Sequence, residues 1–526
     1  MKSRKMLAKL IMLGVIAGVV GGCGNSKVAN VSTPKESQVA SAGSSETPKT
    51  EERPTVSIML VDYEGSPLSG NYSQEVLDKM EEYTNTKVEF NFIANDSYDD
   101  KLSLTLASPQ DMPMIISIPK MTGVITSATE AGAFWDLSEY IKDSTKYPNL
   151  SQANEQVNTS LTINGKLIGI YKARAIGRYG IGYRADWAGK LGIGEPKTIE
   201  DMYNMFYQFT YGDPDGNGKD DTYGVALCKY TGPFDIMQTW FGVGNGWVEE
   251  NGQLVPVHQT KEYKEALDWF RKMYEDGLVY KDWAVRDTPT WTDAVKNGEC
   301  GVFVDVLDNS RRIWDYFETE KIPSVTDANK NAAMNLIGTI NDKTLATTGY
   351  NGFFVITKAA DTPEKLEACL NYLDKMCDDE MLTLSSYGIE GVHWKLDANG
   401  FLLDLDAQDK VASKAYQALN QAVAYIPNLK ATKPAVEMNE RNQREEEVKL
   451  NNEKYAIFNP ANSYLVNSAT YALSGSTLDK LIDDTRTQYI CGQINEDELS
   501  AQWDLWLKQG GQSIIDEVNE QYKANK

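Results

Sequence analysis

TVSIMLV (55–61), ending at Asp62 and Tyr63, reads as a β-strand, and its neighbours decide what kind of sheet it joins. Val76, Leu77 and Met80 give residues 73–83 a helical pattern, and KVEFNFI (87–93) alternates as a second strand. Residues 98–107 are again helical in pattern, and MIISI (114–118) is a short buried strand. Strands alternating with helices predict βαβ units, an α/β fold and a mostly parallel sheet. Ligands of open parallel sheets bind beyond the carboxyl ends of strands. Asp62, Tyr63 and the Ser117–Pro119 turn are therefore first candidates for a cleft.

The pattern continues downstream. GKLIGIYKARAIGRYGIGYRADW (165–187) holds two short strands flanking Arg178 and Tyr179. EPKTIEDMYNMFYQFT (195–210) is a helix with Thr198 as its N-cap and Asp201 as capping-box acid. Residues 261–276 form an amphipathic helix through Tyr263, Leu267, Phe270 and Tyr274. GVFVDV (301–306) and GFFVIT (352–357) are strands, and TPEKLEACLNYLDKM (362–376) places Leu366, Cys369, Leu370 and Leu373 on one helix face. The C-terminal third is helical in pattern, and no repeat of solenoid period is present.

The helix at 195–210 runs into DPDGNGKDDTYG (213–224). Asp213, Asp215 and Asn217 occupy positions 1, 3 and 5 of a loop suited to a hard cation, with Gly218 at the sharp turn. Lys219 would give its carbonyl and Asp221 its carboxylate. A full EF-hand loop closes with Glu at position 12, where this chain has Gly224. The loop therefore predicts a Ca²⁺ site that staples structure; a solvated Asx/Gly turn is the plainer alternative.

The amino end addresses the chain. Lys2, Arg4, Lys5 and Lys9 precede an apolar run of eleven, Leu10–Val20, too short to span a bilayer and suited to a signal segment. VGGC follows, a lipobox pattern that places cleavage before Cys23 and a diacylglyceryl group on its sulfur. Residues 1–22 are thus a lipoprotein signal. Residues 23–53, rich in Ser, Thr, Pro, Lys and Glu without aromatics, read as a disordered tether. The net charge of −23 becomes about −27 on cleavage, because the signal holds four basic and no acidic residues. That charge disfavours nucleic acid and polyanionic ligands. The five remaining cysteines, Cys228, Cys300, Cys369, Cys377 and Cys491, have no metal spacing and read as buried thiols, with Cys369 and Cys377 on one helix. Two histidines, His258 and His393, give poor support to a zinc site or a Ser-His-Asp triad.

FWDLSEYI (134–141), YPNL (147–150), GYRADWAGKLGIGEPKTIEDMYNMFYQF (182–209), the acidic loop and YGIEGVHW (387–394) together resemble one family. It is the bacterial extracellular solute-binding family of carbohydrate ABC importers, in its long lipoprotein branch with alginate-oligosaccharide receptors and LipO-type lipoproteins. The resemblance implies a two-lobed periplasmic-binding-protein fold, each lobe a sheet flanked by helices, closing on a hinge. Residues 54–165 plus 346–400 would form the N-terminal lobe, and 166–345 plus 401–526 the C-terminal lobe. It makes the Ca²⁺ structural and second-lobe, held by Asp213, Asp215, Asn217, Lys219 and Asp221. Family members usually carry Glu after that last Asp, where this chain has Thr222.

Cleft-lining stretches of the family correspond here to Arg178, Tyr179, Trp240, Trp291, Asp305, Tyr350, Glu390, His393 and Trp394, besides Asp62 and Tyr63. Trp240 and Trp394 are the foremost sugar-stacking candidates. The implied protein is no enzyme. It is a monomeric receptor that captures an oligosaccharide, expected from the chain's negative charge to be neutral rather than uronate, on the outer face of a Gram-positive-type membrane and delivers it to two permease subunits with an ATPase. A peptide or amino-sugar receptor of the same fold is the alternative. A surface glycosidase would need two carboxylates about 5–9 Å apart, and no motif marks such a pair.

Overall fold

β1 (Thr55–Asp62), α1 (Ser73–Thr84), β2 (Lys87–Ala94), α2 (Tyr98–Leu106) and β3 (Ile115–Ile118) follow one another in a computed structural model of the chain, as the alternating pattern predicts. The structure describes residues 53–63, 67–405, 412–428 and 430–524. The signal, Cys23 and the tether as far as residue 52 lie outside the described residues. The chain continues through β4 (Ile170–Ala173), β5 (Tyr179–Arg184), α3 (Ile199–Tyr211), β6 (Tyr223–Val225), α4 (Lys261–Glu275), β7 (Cys300–Val306) and α5 (Leu307–Glu320). Then come β8 (Met334–Ile337), β9 (Thr344–Leu345), β10 (Tyr350–Ile356) and α6 (Pro363–Lys375). It ends with α7 (Glu440–Asn452), β11 (Ala456–Ile457), α8 (Ala469–Ile490), α9 (Glu496–Trp506) and α10 (Gln512–Ala524).

Two sheets organise two lobes. The first has the order β2-β1-β3-β10-β4, with β1 parallel to β2 and β3, and β10 antiparallel to β3 and β4. The carboxyl ends of β1, β3 and β4 and the amino end of β10 therefore share one edge. The second sheet has the order β8-β5-β7-β6, with β7 parallel to β6 and antiparallel to β5. Its corresponding edge holds the ends of β6 and β7 and the start of β5. Apolar residues of each sheet and its helices close separate cores. Ile58, Ile116, Phe354 and Leu370 belong to one, and Phe206, Phe209, Phe270 and Phe303 to the other. A third, smaller cluster joins Leu478, Trp506 and Ile514 of the C-terminal helices to Trp247 and Leu254.

The local rules behave as expected where the sequence states them. Thr198 and Asp201 close a reciprocal capping box on α3. Lobe boundaries differ from the expectation. β4 pairs with β10 in the first sheet, and Ala415–Ile426 contribute to the first core, so 170–176 and 415–426 belong with the N-terminal lobe. Two short consecutive strands look alike in sequence; the pairing partner that separates them lies about 180 residues away. Cys369 and Cys377 do not share a helix, because α6 ends at Lys375. All five body cysteines are free, four of them buried and Cys491 half-buried.

Candidate functional site

Two linkers between the sheets run side by side. Residues 174–178 join β4 to β5, and 346–349 join β9 to β10. Arg174 N donates to Gly349 O at 2.8 Å, Thr347 N to Ile176 O at 3.0 Å and Thr347 Oγ1 to Ala175 O at 2.8 Å. Gly349 has φ +77°, and a Cβ there would meet Val157 Cγ2 at 2.4 Å, so only glycine fits this crossing. The paired linkers set the two ligand edges against one another, the arrangement of a hinge.

A cavity of about 360 Å³ opens beside this hinge. It brings together the predicted residues Arg178, Tyr179 and Tyr350. Arg174, Asn245, Asn351 and Asn459 are among its other polar lining residues. Sequence reading missed these four, although Asn351 adjoins the predicted Tyr350. Asn245 Nδ2 donates to Ala346 O at 3.2 Å and Ile457 O at 3.0 Å, and so ties the linker to β11. Arg178 is fixed by a two-point fork to Asp308, Nε to Oδ1 at 2.9 Å and an Nη to Oδ2 at 3.0 Å. Asp305 stands behind Tyr179 at the end of β7; burial raises its carboxyl above the ordinary range, and the Asn309 amide donates to it at 3.1 Å. Burial and the Asp305 charge raise the Tyr179 hydroxyl in turn.

The first-lobe edge contributes cations. Lys172 and Arg174 alternate along β4 and its extension, so both face the same side of the sheet. Lys172 Nζ donates to Ser117 Oγ at 3.3 Å and lies 5.6 Å from the Phe354 ring centre. Burial, with Arg174 nearby, pushes its ammonium down to about 8, and no carboxylate contributes. Gly352, with φ +79°, leaves room for this side chain: a Cβ there would stand 3.3 Å from Lys172 Cε. Asp62 and Tyr63 lie on the same edge but line a separate hollow of about 90 Å³ with Phe92 and Gln417.

The stacking candidates are placed elsewhere. Trp240 is 2 % exposed and packs at 6.2 Å from Trp269 inside the second core, so it is a core residue. Trp291 is buried against Phe303, with Nε1 donating to Ala226 O at 2.9 Å. His393 is fully buried, accepting from Ile389 N at Nδ1, and Trp394 Nε1 donates to Gly388 O at 3.0 Å. YGIEGVHW is thus a self-bonded first-lobe knot with Glu390 exposed on it. These rings fill volume because cores need large side chains as much as sugar sites do.

A second cavity, of about 310 Å³, adjoins the hinge cavity and shares Asn245, Leu345 and Asn459 with it. It lies where the third cluster meets the second core, and its lining includes Asp235, Gln238, His258, Tyr471, Asp479, Asp483, Arg486 and Trp506. Most of these come from the C-terminal helices, where the sequence offered little functional signal.

The acidic loop leaves α3 and enters β6. Asn217 Nδ2 donates to Asp215 Oδ2 at 2.7 Å and to Asp221 Oδ1 at 3.0 Å, and Gly218 N donates to Asp213 Oδ1 at 3.2 Å. The oxygens suit a hard cation in type, while Asn217 now bridges the carboxylates. Thr222 cannot substitute for an acid, since its hydroxyl is buried and donates to Phe209 O at 2.8 Å. Gly224 is packed on Phe206, where a Cβ would stand 2.6 Å away, so no closing Glu fits. Among the described residues no three His, Cys, Asp or Glu groups gather as a metal site.

Two lobes, paired linkers and a polar cavity at the hinge define a solute receptor. The chain belongs to the family of bacterial extracellular solute-binding proteins, whose pattern it matches over residues 65–373. It is 33 % identical to lipoprotein LipO of Bacillus subtilis, over 99 % of both chains. It is 28 % identical to the polygalacturonan/rhamnogalacturonan-binding protein YtcQ of the same species, over 100 % of this chain and 99 % of that one. Among solved structures, an EF-hand mutant of Streptococcus pneumoniae FusA in complex with fructo-nystose has a TM-score of 0.56 at 18 % identity. That match covers 90 % of this chain and 100 % of FusA.

Proposed function

We propose that this receptor captures an oligosaccharide between its lobes for an ABC importer, handing it to two permease subunits with an ATPase. It acts by binding, without turnover. The observation that carries the reading is the hinge cavity itself: amides, a hydroxyl-bearing ring pair and a fixed guanidinium converge where two sheets present their ligand edges. The named sugar ligands of YtcQ and FusA support it. Contacts that both lobes make only when closed would drive the population toward the closed form. Lys172 and Arg174, without carboxylate partners among the described residues, favour an acidic sugar at the hinge end despite the chain's overall charge. The receptor would act as a monomer, and the VGGC pattern and the lipoprotein LipO support its anchoring through Cys23 on the outer membrane face of a Gram-positive-type cell.

Calcium belongs to the same proposal. Asp213, Asp215, Asp221, the Asn217 amide oxygen and the Lys219 carbonyl would hold it, and the ion would neutralise the carboxylates and fix the exit of α3. Calorimetric titration against neutral, acidic and mixed oligosaccharides and short peptides, with and without EDTA, tests both parts. Tight binding of a glycan recovered uncleaved is expected. EDTA is expected to lower the melting temperature and leave affinity unchanged; saturation at about 100 Kd stabilises by roughly 2.7 kcal/mol. Peptide binding alone, or cleaved glycan, would sink the receptor reading.

A further inference from the structure

The cavity of about 310 Å³ in the second lobe holds an unusual concentration of polar atoms without partners. Gln238 Oε1, His258 Nε2, Arg486 Nε and Trp506 Nε1 are buried and accept or donate no hydrogen bond within the protein. The four side chains are only 3–5 % exposed, and all four line this one cavity. A buried polar group left unpaired forfeits its hydration without return, so four around one space call for an occupant. Two of the atoms are donors and one is an acceptor. Burial keeps His258 neutral, so its ring supplies one donor and one acceptor nitrogen. A group of hydroxyls, each able to donate and accept, matches that mixture.

Charge narrows the occupant. Asp235, Asp479 and Asp483 stand at the cavity against one cation, Arg486. Arg486 is already committed to Asp235 at 2.6 Å and Asp483 at 2.8 Å. Asp479 accepts from the Tyr471 hydroxyl at 2.8 Å and has no ionic partner among the described residues. A carboxylate entering here would meet like charge. Rings of Trp247, Trp506 and Tyr471 offer apolar faces around the same space. A volume near the low end of small-molecule pockets, roughly 300 Å³, suits one sugar residue rather than a chain.

We propose that this cavity is a subsite for a single uncharged sugar residue of the captured oligosaccharide, which enters past Asn245 and Asn459 from the hinge cavity. The proposal rests on the receptor reading and goes beyond it, because it assigns the second lobe its own selectivity for uncharged over uronate residues. The test is ligand-observed NMR of the full chain with galactose and with galacturonate as probes, repeated on Asp479→Lys. Galactose is expected to bind weakly and galacturonate at least about tenfold more weakly still, and Asp479→Lys to close that gap. Galactose binding that persists in Asp479→Lys shows that the cavity is still folded, and Asp479 is exposed enough to accept the change. Equal affinities in the unaltered chain, or a ratio that Asp479→Lys leaves untouched, would overturn the subsite. Oligosaccharide binding that Asn351→Ala weakens, with no monosaccharide binding at all, would overturn it while leaving the receptor reading intact. A crystal with galactose that shows only ordered water in the cavity would do the same.

Discussion

The hinge cavity and the second-lobe cavity share a wall and are opposite in charge. Arg174 and Arg178 line the first, with Lys172 on the same sheet edge as Arg174, and among the described residues only Arg178 of the three has a carboxylate partner. Three carboxylates surround the second, where the one guanidinium is already paired. A chain of net charge −23 therefore has two adjoining cavities whose charged groups are of opposite sign. Whole-chain charge governs solubility and encounter; recognition is set by the few groups that desolvate against the ligand.

The sharpest way to break this contrast is to neutralise the two carboxylates that pair with Arg486 at the second cavity. Asp235→Asn with Asp483→Asn leaves Arg486, 3 % exposed at its side chain, without a counter-charge. A loss of about 3–5 kcal/mol in urea unfolding is expected, the cost of stranding a buried ion. His258 gives the next largest effect. Burial lowers its imidazole from 6.5 to about 3, so between those values the unfolded chain binds a proton that the folded chain does not. Stability that is complete above about pH 6.5 is lost as pH falls toward 3, by roughly 2–4 kcal/mol over the interval. His258→Gln should show a shallower decline between pH 7 and pH 4.5 than the unaltered chain; identical slopes would mean the ring titrates normally. At the hinge, Tyr350→Ala should weaken oligosaccharide binding by roughly 1–3 kcal/mol with little change in melting temperature, since Tyr350 is half-buried at a strand end.

How far these regions were legible differs for a physical reason. Strand and helix positions from 55 to 118 follow from local periodicity, and β1, β2 and β3 fall where the pattern puts them. Arg178, Tyr179 and Tyr350 came from the family resemblance, and the structure brings them to one cavity because the linkers that carry them run side by side. Trp240, Trp291 and Trp394 were misplaced because sequence does not distinguish a ring that stacks on a sugar from one that fills a core. The second cavity was invisible for another reason. Asp235, His258, Arg486 and Trp506 are drawn from positions up to 271 residues apart, and no local spacing relates them. The lobe boundary failed likewise, since β4 declares its lobe only through its pairing with β10.

Lys172 carries the smallest expected effect on stability and the clearest one on selectivity. Its ammonium is half-buried, donates once, to Ser117, and has no carboxylate nearby. A buried charge without a partner contributes little or negatively to stability, so Lys172→Met should leave the unfolding free energy unchanged or raise it by about 1 kcal/mol or less. The same substitution removes a cation from the hinge end. Affinity for oligosaccharides with a uronate residue should fall by about tenfold, and affinity for wholly uncharged ones should not move. Parallel titrations of unaltered and Lys172→Met protein with galactotetraose and tetragalacturonate read this directly. A large loss of stability would instead mean that Lys172 is held by the fold for its packing. Equal losses for both tetrasaccharides would remove the charge contrast between the two ends of the cleft.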